Sequence, residues 1–185
     1  ILFENKRLNL IDSLNLGVSA AKGKYIARMD ADDISHPKRL ETQIKHLKKE
    51  NLDLCGTSYT SMNNNKLLIR RYIVPTRRED IIVKLSSGVP FCHGSILAKK
   101  TVFDDNQYGN GIDKVIEDYS LWVDMLKKKI KISNCKENLY FLRIHPNSLT
   151  QKQGSKIFKR AFKVALDHIT FHQDELVRIL AKKNF

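Results

Sequence analysis

The sequence predicts an α/β fold in which helices cover a mixed β-sheet. Apolar residues recur at helical spacing over 8–21 and again after Ser35, and a compact apolar strand, Tyr25 to Met29, lies between these two helices. The middle of the chain then carries several strand patterns in succession. Helix–strand alternation followed by a strand-rich segment is typical of an α/β sandwich with a mixed sheet.

Size and composition fit one domain with a substantial core. The chain has 185 residues, of which 42% are hydrophobic and 29% are charged, as in ordinary globular proteins. No apolar run approaches the roughly 18 residues of a membrane span, and no signal-peptide pattern occurs. The sequence begins at Ile1 without a Met and inside a strand pattern. We therefore expect a fragment, or a domain that lacks its first elements.

Local patterns and turn residues predict the individual elements. Two strands flank the turn at 63–65 and form a hairpin. The late helix forms in one piece or in two pieces around 168–173. In chain order the sequence predicts strands at 1–3, 25–29, 52–60, 67–74, 95–98, 130–133 and 139–144, and helices at 8–21, after 35, at 78–85, from 117 and at 154–183.

Capping residues and apolar stripes give these helices their expected ends and faces. Gly23 fits the C-cap of the first helix. Ser35 is expected to cap the second helix, with Pro37 in its first turn. Apolar residues at helical spacing predict the buried stripes, Leu40, Ile44 and Leu47 in the second helix and Leu121, Trp122, Met125 and Leu126 in the helix from 117.

The chain is strongly basic, with a formal net charge of +13. This charge implies attraction to anions such as nucleic acid, acidic lipid headgroups or phosphorylated substrates. The cysteines Cys55, Cys92 and Cys135 are odd in number and widely spaced, with no Cys-x-x-Cys pair. They predict reduced thiols in a cytosolic setting and argue against a zinc site or a disulfide framework.

An acidic segment follows the strand that ends at Met29. Asp30, Asp32 and Asp33 repel one another, and a fold tolerates them together where something positive lies beside them. Hard oxygen ligands at the end of a strand suit Mg²⁺ or Mn²⁺, which commonly arrive with phosphate. The alternative is a solvated acidic turn that caps the next helix, and the spacing alone leaves both interpretations open.

The order of several motifs resembles family 2 glycosyltransferases, which are inverting enzymes of the GT-A fold. The resemblance spans roughly residues 1 to 150 and implies a Rossmann-like α/β/α sandwich. It predicts a partial GT-A catalytic domain over 1–150 and a basic amphipathic helical extension over 151–185. The motifs that carry it are Asn15-Leu16-Gly17, Ala21 to Asp33, Pro37-Lys38-Arg39-Leu40 with Gln43, His93-Gly94-Ser95, Glu117 to Trp122, and Arg143-Ile144-His145.

The sequence departs from the family at its front. Family members begin with a strand, a helix and a strand that hold the nucleotide base, and nothing here matches those elements. We therefore expect the sequence to be N-terminally truncated relative to the family, so that it does not reveal the nucleotide.

The resemblance implies a role for each acidic residue. Asp32 is the expected ligand of Mn²⁺ or Mg²⁺, and Asp30 binds the donor's ribose or shares the metal. Asp118 is the expected general base, whereas Glu117 orients the acceptor or a loop. The alternative for Glu117 and Asp118 is a capping role at their helix, which such residues often have. Asp33 is expected to turn outward or to brace its loop.

Basic and imidazole side chains complete the candidate site. His93 is expected on the acceptor or sugar side, or as a structural histidine bonded to backbone. His145, with Arg143, is expected to reach the diphosphate or the metal, or else to lie at an exposed strand end. Arg28 and Arg39 supply positive potential near the phosphates, although Arg39 is alternatively paired with Glu41 or Asp33. The other histidines are expected at the surface, namely His36, His46, His168 and His172.

The tail helix carries an apolar face bordered by cations. Basic amphipathic helices bind anionic membrane surfaces, so 152–183 is a candidate membrane contact. The alternative is that the apolar stripe packs on its own domain. The predicted stripe consists of Phe158, Phe162, Ala165 and Ile169, and the bordering cations are Lys152, Lys156, Lys159, Arg160 and Lys163.

The leading hypothesis is an inverting, metal-dependent glycosyltransferase. Its expected partners are a nucleotide-sugar donor, a UDP-sugar in the first instance, and a surface-polysaccharide or lipid-linked acceptor. The expected location is cytoplasmic, with peripheral attachment to the inner face of the membrane as an extension. The alternatives are a degenerate transferase that only binds a sugar nucleotide and a basic nucleic-acid-binding domain. Nucleic acid is not expected, because no binding motif is present and aromatic residues do not alternate with the basic clusters.

Overall fold

A mixed β-sheet forms the centre of the structure, a computed structural model that describes residues 8–145 and 149–183, with backbone only over 149–156. Its strands are β1 (Tyr25–Ala27), β2 (Ile34–Ser35), β3 (Leu54–Met62), β4 (Leu68–Tyr72), β5 (Leu97–Lys99) and β6 (Ile132–Arg143). The helices are α1 (Leu10–Ala20), α2 (Arg39–Lys49), α3 (Arg78–Leu85), α4 (Glu117–Lys127) and α5 (Leu149–Lys183). The predicted strand at 1–3 lies outside the described residues.

Strand order and direction bring several chain segments to one edge of the sheet. The order is β1-β5-β3-β6-β2, and β4 pairs with β3 as the second strand of the predicted hairpin. β3 and β6 are parallel, whereas β5 is antiparallel to both β1 and β3. The carboxyl ends of β1, β3 and β6 therefore lie at the same edge. Open α/β sheets bind ligands at that edge.

Helices cover both faces of the sheet, which confirms the predicted α/β sandwich. On one face α2 covers a small cluster that includes Leu47, Cys55 and Leu97. The larger core lies on the other face and involves α3, α4 and α5, with Trp122 of α4 fully buried within it. All three cysteines are free and buried. None of the described helices combines the length and the apolar character that a membrane span requires.

Helix α2 buries part of its predicted apolar stripe together with two polar residues. Leu40 is 46% exposed, whereas Arg39 and Gln43 are buried together with Leu47. Gln43 Nε2 donates hydrogen bonds to the carbonyl oxygens of Cys55 and Ser95, each 2.9 Å away. Leu47 is buried and Ile44 packs against the same cluster, which confirms two of the three predicted positions, whereas Leu40 was wrong. The polar residues were not expected there because their side chains satisfy backbone carbonyl groups of the sheet, which an apolar pattern does not reveal.

Two predicted helix caps were also wrong. Ser35 lies in β2, where it pairs with Tyr140, so α2 begins only after Lys38 at the N-cap. The C-cap of α1 is Ala21 rather than Gly23. In both places the chain enters or leaves the sheet within a few residues, and strand pairing determines its path.

β6 is one long strand where the sequence predicted two. The break expected between them is a bulge, at which the register against β3 shifts. Cys135 pairs with Thr57, but Tyr140 pairs with Tyr59, so β6 takes five residue steps where β3 takes two. Bulges bend a strand without ending it, and this one leaves Lys136 and Glu137 exposed.

Helix α5 is continuous and packs against α3 and α4 through one face. Val164, Ala165, Leu176 and Ile179 are buried there. Ala165 was predicted on the apolar stripe, but the other members of that stripe remain accessible, with exposed fractions of 75% for Phe158, 63% for Phe162 and 38% for Ile169. The side chains of Lys152 and Lys156 lie outside the described residues.

Two histidines of α5 are buried, so their predicted surface position was wrong. His168 is fully buried, and its Nε2 lies 2.9 Å from the carbonyl oxygen of Ile82 in α3. His172 packs beside it, and its Nδ1 lies 3.1 Å from Glu175 Oε2. A histidine spaced with the apolar residues of a helix can enter the core when one ring nitrogen finds an acceptor.

The close approach of Gly94 to Tyr140 provides a test of the fold. A Cβ atom at position 94 would lie 2.1 Å from Tyr140 Oη. We expect Gly94→Ala to lower the free energy of unfolding by about 2 kcal/mol, because a buried tyrosine at the sheet cannot yield without distortion. Urea unfolding measures this loss.

Gly17→Ala is the matched control for that substitution. No atom lies within 4 Å of a Cβ at position 17, which is inside α1. This change should raise the unfolding free energy by about 0.5 kcal/mol or more, since alanine favours helix over glycine. Equal stability of the Gly94→Ala variant and the parent would contradict the tight packing described here.

Candidate functional site

The acidic segment forms a loop between β1 and β2, at the edge of the sheet where the carboxyl ends of β1, β3 and β6 lie. Asp33 is buried and braces this loop: Tyr140 Oη donates to Asp33 Oδ2 at 2.6 Å, and the backbone N–H of Arg143 donates to Asp33 Oδ1 at 2.7 Å. Burial raises the pKa of Asp33, although these two hydrogen bonds act in the opposite direction. Bracing was one predicted role of Asp33, and the outward orientation was wrong.

Arg28 and Asp30 form a two-pronged ion pair at the start of the loop. Arg28 Nη1 and Nη2 each lie 2.5 Å from an oxygen of the Asp30 carboxylate. The Asp30 side chain is 40% exposed, whereas that of Arg28 is 12% exposed. Paired guanidinium and carboxylate groups fix each other's orientation. One accessible carboxylate therefore has a defined direction at the sheet edge.

Arg39 has a structural role beneath this pair. It is buried, and its guanidinium donates to the carbonyl oxygens of Arg28, at 2.8 Å, and Gly94, at 3.2 Å. It also lies over the ring of Tyr140, 5.2 Å from the ring centroid. Neither alternative ion pair predicted for Arg39 forms within the described part of the chain, since Glu41 pairs with Lys45 instead.

Asp32 and His145 come together across the loop. His145 Nε2 lies 3.4 Å from Asp32 Oδ2, and both side chains are partly exposed, His145 by 31% and Asp32 by 46%. Arg143 fixes the backbone below them, since its Nε donates to the carbonyl oxygen of Asp32 at 2.7 Å. The structure thus joins a carboxylate from the β1–β2 loop to an imidazole that follows β6.

This pair fits a divalent cation that takes most of its ligands from a substrate. Across residues 8–145 and 149–183 no cluster of three or more Asp, Glu, His or Cys side chains is arranged to hold a metal. Mg²⁺ and Mn²⁺ are often bound by one or two protein ligands plus phosphate oxygens and water. Asp32 and His145 offer two such ligands, and the Asp30 carboxylate is engaged by Arg28.

Glu117 and Asp118 begin α4 in a shielded environment. Burial, followed by the neighbouring charge of Asp118, raises the pKa of Glu117 to about 7. Burial also raises the pKa of Asp118, whose Oδ1 accepts a hydrogen bond from the backbone N–H of Tyr119 at 2.7 Å. Asp118 therefore has local hydrogen bonding of the kind that caps a helix, and a protonation state that its surroundings can tune.

His93 lies beside the start of α4. Its Nε2 is 3.0 Å from Tyr108 Oη, and its ring packs edge-on against Trp122 at 5.8 Å between centroids. Burial, followed by the positive charge of Arg28, lowers the pKa of His93 well below its ordinary value. The ring is therefore neutral at physiological pH and is held by a tyrosine hydroxyl rather than by backbone.

Arg28 connects the two halves of the site. Its positive charge opposes the burial that raises the pKa values of Glu117 and Asp118, and it contributes to the low pKa of His93. The predicted site residues thus fall into two neighbouring groups, a partly exposed pair and a set around Arg28 that is shielded except for Asp30. The exposed pair is Asp32 and His145, and the set around Arg28 consists of Asp30, His93, Glu117 and Asp118.

Sequence reasoning missed two tyrosines that position these groups. Tyr140 holds Asp33 and accepts a hydrogen bond from the backbone N–H of Asp30 at 3.2 Å. Tyr108 holds His93. Tyr140 lies in an ordinary strand pattern and Tyr108 in a glycine-rich loop, so neither carried a signal beyond that of a core aromatic residue.

Comparison with known proteins gives the family of the chain. A family model described as Glycosyl transferase family 2 matches residues 1–107. The O-antigen biosynthesis glycosyltransferase WbnJ of Escherichia coli is 33% identical over 156 residues, which cover 80% of this chain and 58% of that protein. The putative glycosyltransferase EpsE of Bacillus subtilis (strain 168) is 31% identical over 168 residues, which cover 89% of this chain and 55% of EpsE.

A solved structure shares the fold at low sequence identity. The crystal structure of S. aureus TarS 1-349 in complex with UDP-GlcNAc matches with a TM-score of 0.59 and 13% identity, over 84% of this chain and 45% of TarS 1-349. The chain thus spans about half the length of these relatives. The family model covers more than half of the chain, and WbnJ and EpsE agree with it, so the chain belongs to glycosyltransferase family 2.

Proposed function

We propose that this chain carries the metal-binding and acceptor-activating part of an inverting transferase that moves a sugar from a nucleotide diphosphate sugar to a glycan or lipid-linked acceptor. The observation that carries the proposal is the division of the site. An accessible carboxylate–imidazole pair lies at the sheet edge, while the shielded carboxylates Glu117 and Asp118 lie within electrostatic reach of Arg28. The two groups suit a diphosphate and an acceptor hydroxyl, respectively.

Asp32 and His145 are the proposed ligands of Mn²⁺ or Mg²⁺ on the donor side. When bound, such a cation neutralises charge on the leaving diphosphate. Asp30, oriented by Arg28, is proposed to bind the donor's ribose or to share the metal. Among solved structures of the same fold, TarS 1-349 was crystallised with UDP-GlcNAc and with UDP, which supports a UDP-sugar as the first donor to test.

Asp118 is the proposed general base. A base must accept a proton from the acceptor hydroxyl as that hydroxyl attacks, and burial that raises the pKa of Asp118 strengthens it for this task. Attack on the face opposite the departing diphosphate inverts the anomeric centre. Glu117 and the neutral His93 are proposed to orient the acceptor beside this base.

The proposed acceptor is a surface polysaccharide or a lipid-linked glycan. Support comes from WbnJ, which is named for O-antigen biosynthesis. Cytoplasmic location with peripheral attachment to the inner face of the membrane, and membrane contact through 152–183, remain predictions. So does the division into a catalytic domain over 1–150 and an extension over 151–185.

The donor-side proposal is tested by Asp32→Asn. We expect this substitution to abolish Mn²⁺-dependent release of nucleoside diphosphate and to weaken donor binding at least about tenfold, because one of two protein ligands is lost. Isothermal titration with UDP-sugars and MnCl₂ measures the binding. Asp104→Asn, an exposed carboxylate elsewhere on the surface, is the control and should behave as the parent. Unchanged, metal-dependent donor binding by Asp32→Asn would exclude Asp32 as a ligand.

The acceptor-side proposal is tested by Asp118→Asn. Donor affinity should stay within about twofold of the parent, while the transfer rate falls by about 10²-fold or more, because general base catalysis contributes about that much. Asp124→Asn, in the same helix, is the matched control and should retain transfer. Full turnover by Asp118→Asn would remove Asp118 from the mechanism.

The half-buried carboxylate of Glu117 predicts a pH dependence of stability. Its pKa is about 7 in the folded chain against an ordinary 4.5, so the folded state holds a proton that the unfolded state releases between these values. The free energy of unfolding should therefore fall as pH rises from 4.5 to 7, and the loss is complete above pH 7.

Glu117→Gln cannot ionise and should escape that loss. We expect it to exceed the parent by about 2 kcal/mol at pH 8 and to match it near pH 4.5, as measured by urea unfolding. Glu137→Gln, on the exposed bulge of β6, should follow the parent at both pH values. If the free energies of unfolding of the parent and Glu117→Gln changed with pH in parallel, the pKa of Glu117 would not be raised in the folded chain.

A further inference from the structure

The hairpin of β3 and β4 exposes an unusual amount of aliphatic surface. All but the last residue of β4 are exposed. The exposed fractions are 64% for Leu67, 65% for Leu68, 59% for Ile69 and 79% for Ile73. We call these four side chains, together with Lys66, Arg70 and Arg71, the hairpin surface. Four large aliphatic side chains exposed within one short hairpin segment indicate a contact with another molecule or with a lipid surface.

The charge of this segment is entirely positive. Residues 63–78 contain five Lys or Arg residues and no Asp or Glu. Within the part of the chain that the structure describes, Lys66, Arg70 and Arg71 form no ion pair, whereas the other two cations of the segment pair with glutamates. Aliphatic side chains bordered by unpaired cations are complementary to a bilayer that carries anionic lipids.

A second group of exposed apolar side chains, on α5, has a different charge pattern. Phe158, Phe162 and Leu166 of α5 are 52–75% exposed, but Arg160 beside them pairs with Asp113, and the same helix contains Asp167, Asp174 and Glu175. Carboxylates reduce the attraction of a surface to anionic lipids. The hairpin surface is therefore the better match for such a membrane.

Hydrogen bonds connect the hairpin to the candidate site. Arg143 Nη1 donates to the carbonyl oxygens of Asn63 and Asn64 in the hairpin turn, each at 3.0 Å. The same guanidinium donates through Nε to the carbonyl oxygen of Asp32. Any membrane or partner bound by the hairpin would therefore lie close to the edge of the sheet at which Asp32 and His145 meet.

We propose that the hairpin surface docks on an anionic lipid bilayer and thereby presents the candidate site to acceptors held in that bilayer. Its aliphatic side chains enter the boundary between headgroups and acyl chains, and its cations face anionic headgroups. The docking itself is independent of the proposed function. Only its catalytic consequence, access to a lipid-linked acceptor, rests on that function.

Vesicle flotation tests the docking. The full chain should float with vesicles of phosphatidylcholine containing 30% phosphatidylglycerol, where that lipid fraction is roughly the anionic content of many membranes. It should float much less with pure phosphatidylcholine, and the bound fraction should fall as salt is raised. Equal binding to neutral and anionic vesicles, or no binding to either, would overturn the proposal.

Paired variants locate the contact. Leu68→Ser with Ile69→Ser should weaken binding to the anionic vesicles by about tenfold or more, since two aliphatic side chains lose their insertion. Arg71→Glu should weaken it on anionic vesicles. Phe162→Ser, the matched change on α5, should bind as the parent does. Loss of binding in Phe162→Ser with retention in the hairpin double variant would assign the contact to the helix and overturn the proposal.

Two further measurements separate the causes of any loss. Urea unfolding should show unchanged stability of the double variant, because both positions are exposed; a large loss would show that these residues are structural and would overturn their assignment. Competition with duplex DNA should leave flotation largely intact, whereas equal, hairpin-dependent capture by DNA would show a general polyanion site instead.

The catalytic arm keeps failure of docking distinct from failure of the proposed function. Transfer to a water-soluble acceptor should be the same for the parent and the double variant, while transfer to an acceptor anchored in anionic vesicles should fall about tenfold with the loss of binding. Absence of transfer in every protein would count against the proposed function alone. Equal transfer to the anchored acceptor by both proteins would overturn the docking proposal.

Discussion

The buried carboxylate of Asp33 is the constraint on which the site depends. A carboxylate removed from water is costly unless it accepts good hydrogen bonds, and here one donor is Tyr140 Oη and the other is the backbone N–H of Arg143. Both donors belong to β6, whereas Asp33 belongs to the loop after β1. These two hydrogen bonds therefore anchor the acidic loop to the longest strand of the sheet. Gly94 leaves the room that this tyrosine requires.

With the loop anchored, neighbouring carboxylates can occupy different environments. Asp32 is accessible to solvent, as its proposed role on the donor side requires. Asp118 faces inward, where burial favours its protonated form. Arg28 reduces this difference because its positive charge favours the ionised form of Asp118. The same charge disfavours protonation of His93. Similar side chains thus acquire separate chemistry from their surroundings, as catalytic carboxylates commonly do.

Much of the fold could be predicted from the sequence because its signals are local. Helical periodicity placed α3 and α4, and the turn at 63–65 placed the hairpin. The candidate site residues were predicted from motifs, and in the structure they lie at one edge of the sheet and around Arg28. The remainder was hidden because it depends on distant partners. Arg39 and Gln43 enter the core to bond carbonyl groups of other segments, and His168 does so against Ile82. Such bonds leave no periodic trace.

The bulge in β6 determines on which face of the sheet Tyr140 lies. Side chains of a regular strand alternate between the two faces of a sheet, and Ile132 faces the larger core. An uninterrupted β6 would turn Tyr140 toward that same side. The bulge inserts an odd number of extra residues relative to β3, so the tyrosine emerges on the side of α2, above Arg39 and within reach of the acidic loop. Losing one residue there would point its hydroxyl away from Asp33 without altering any of the proposed site residues.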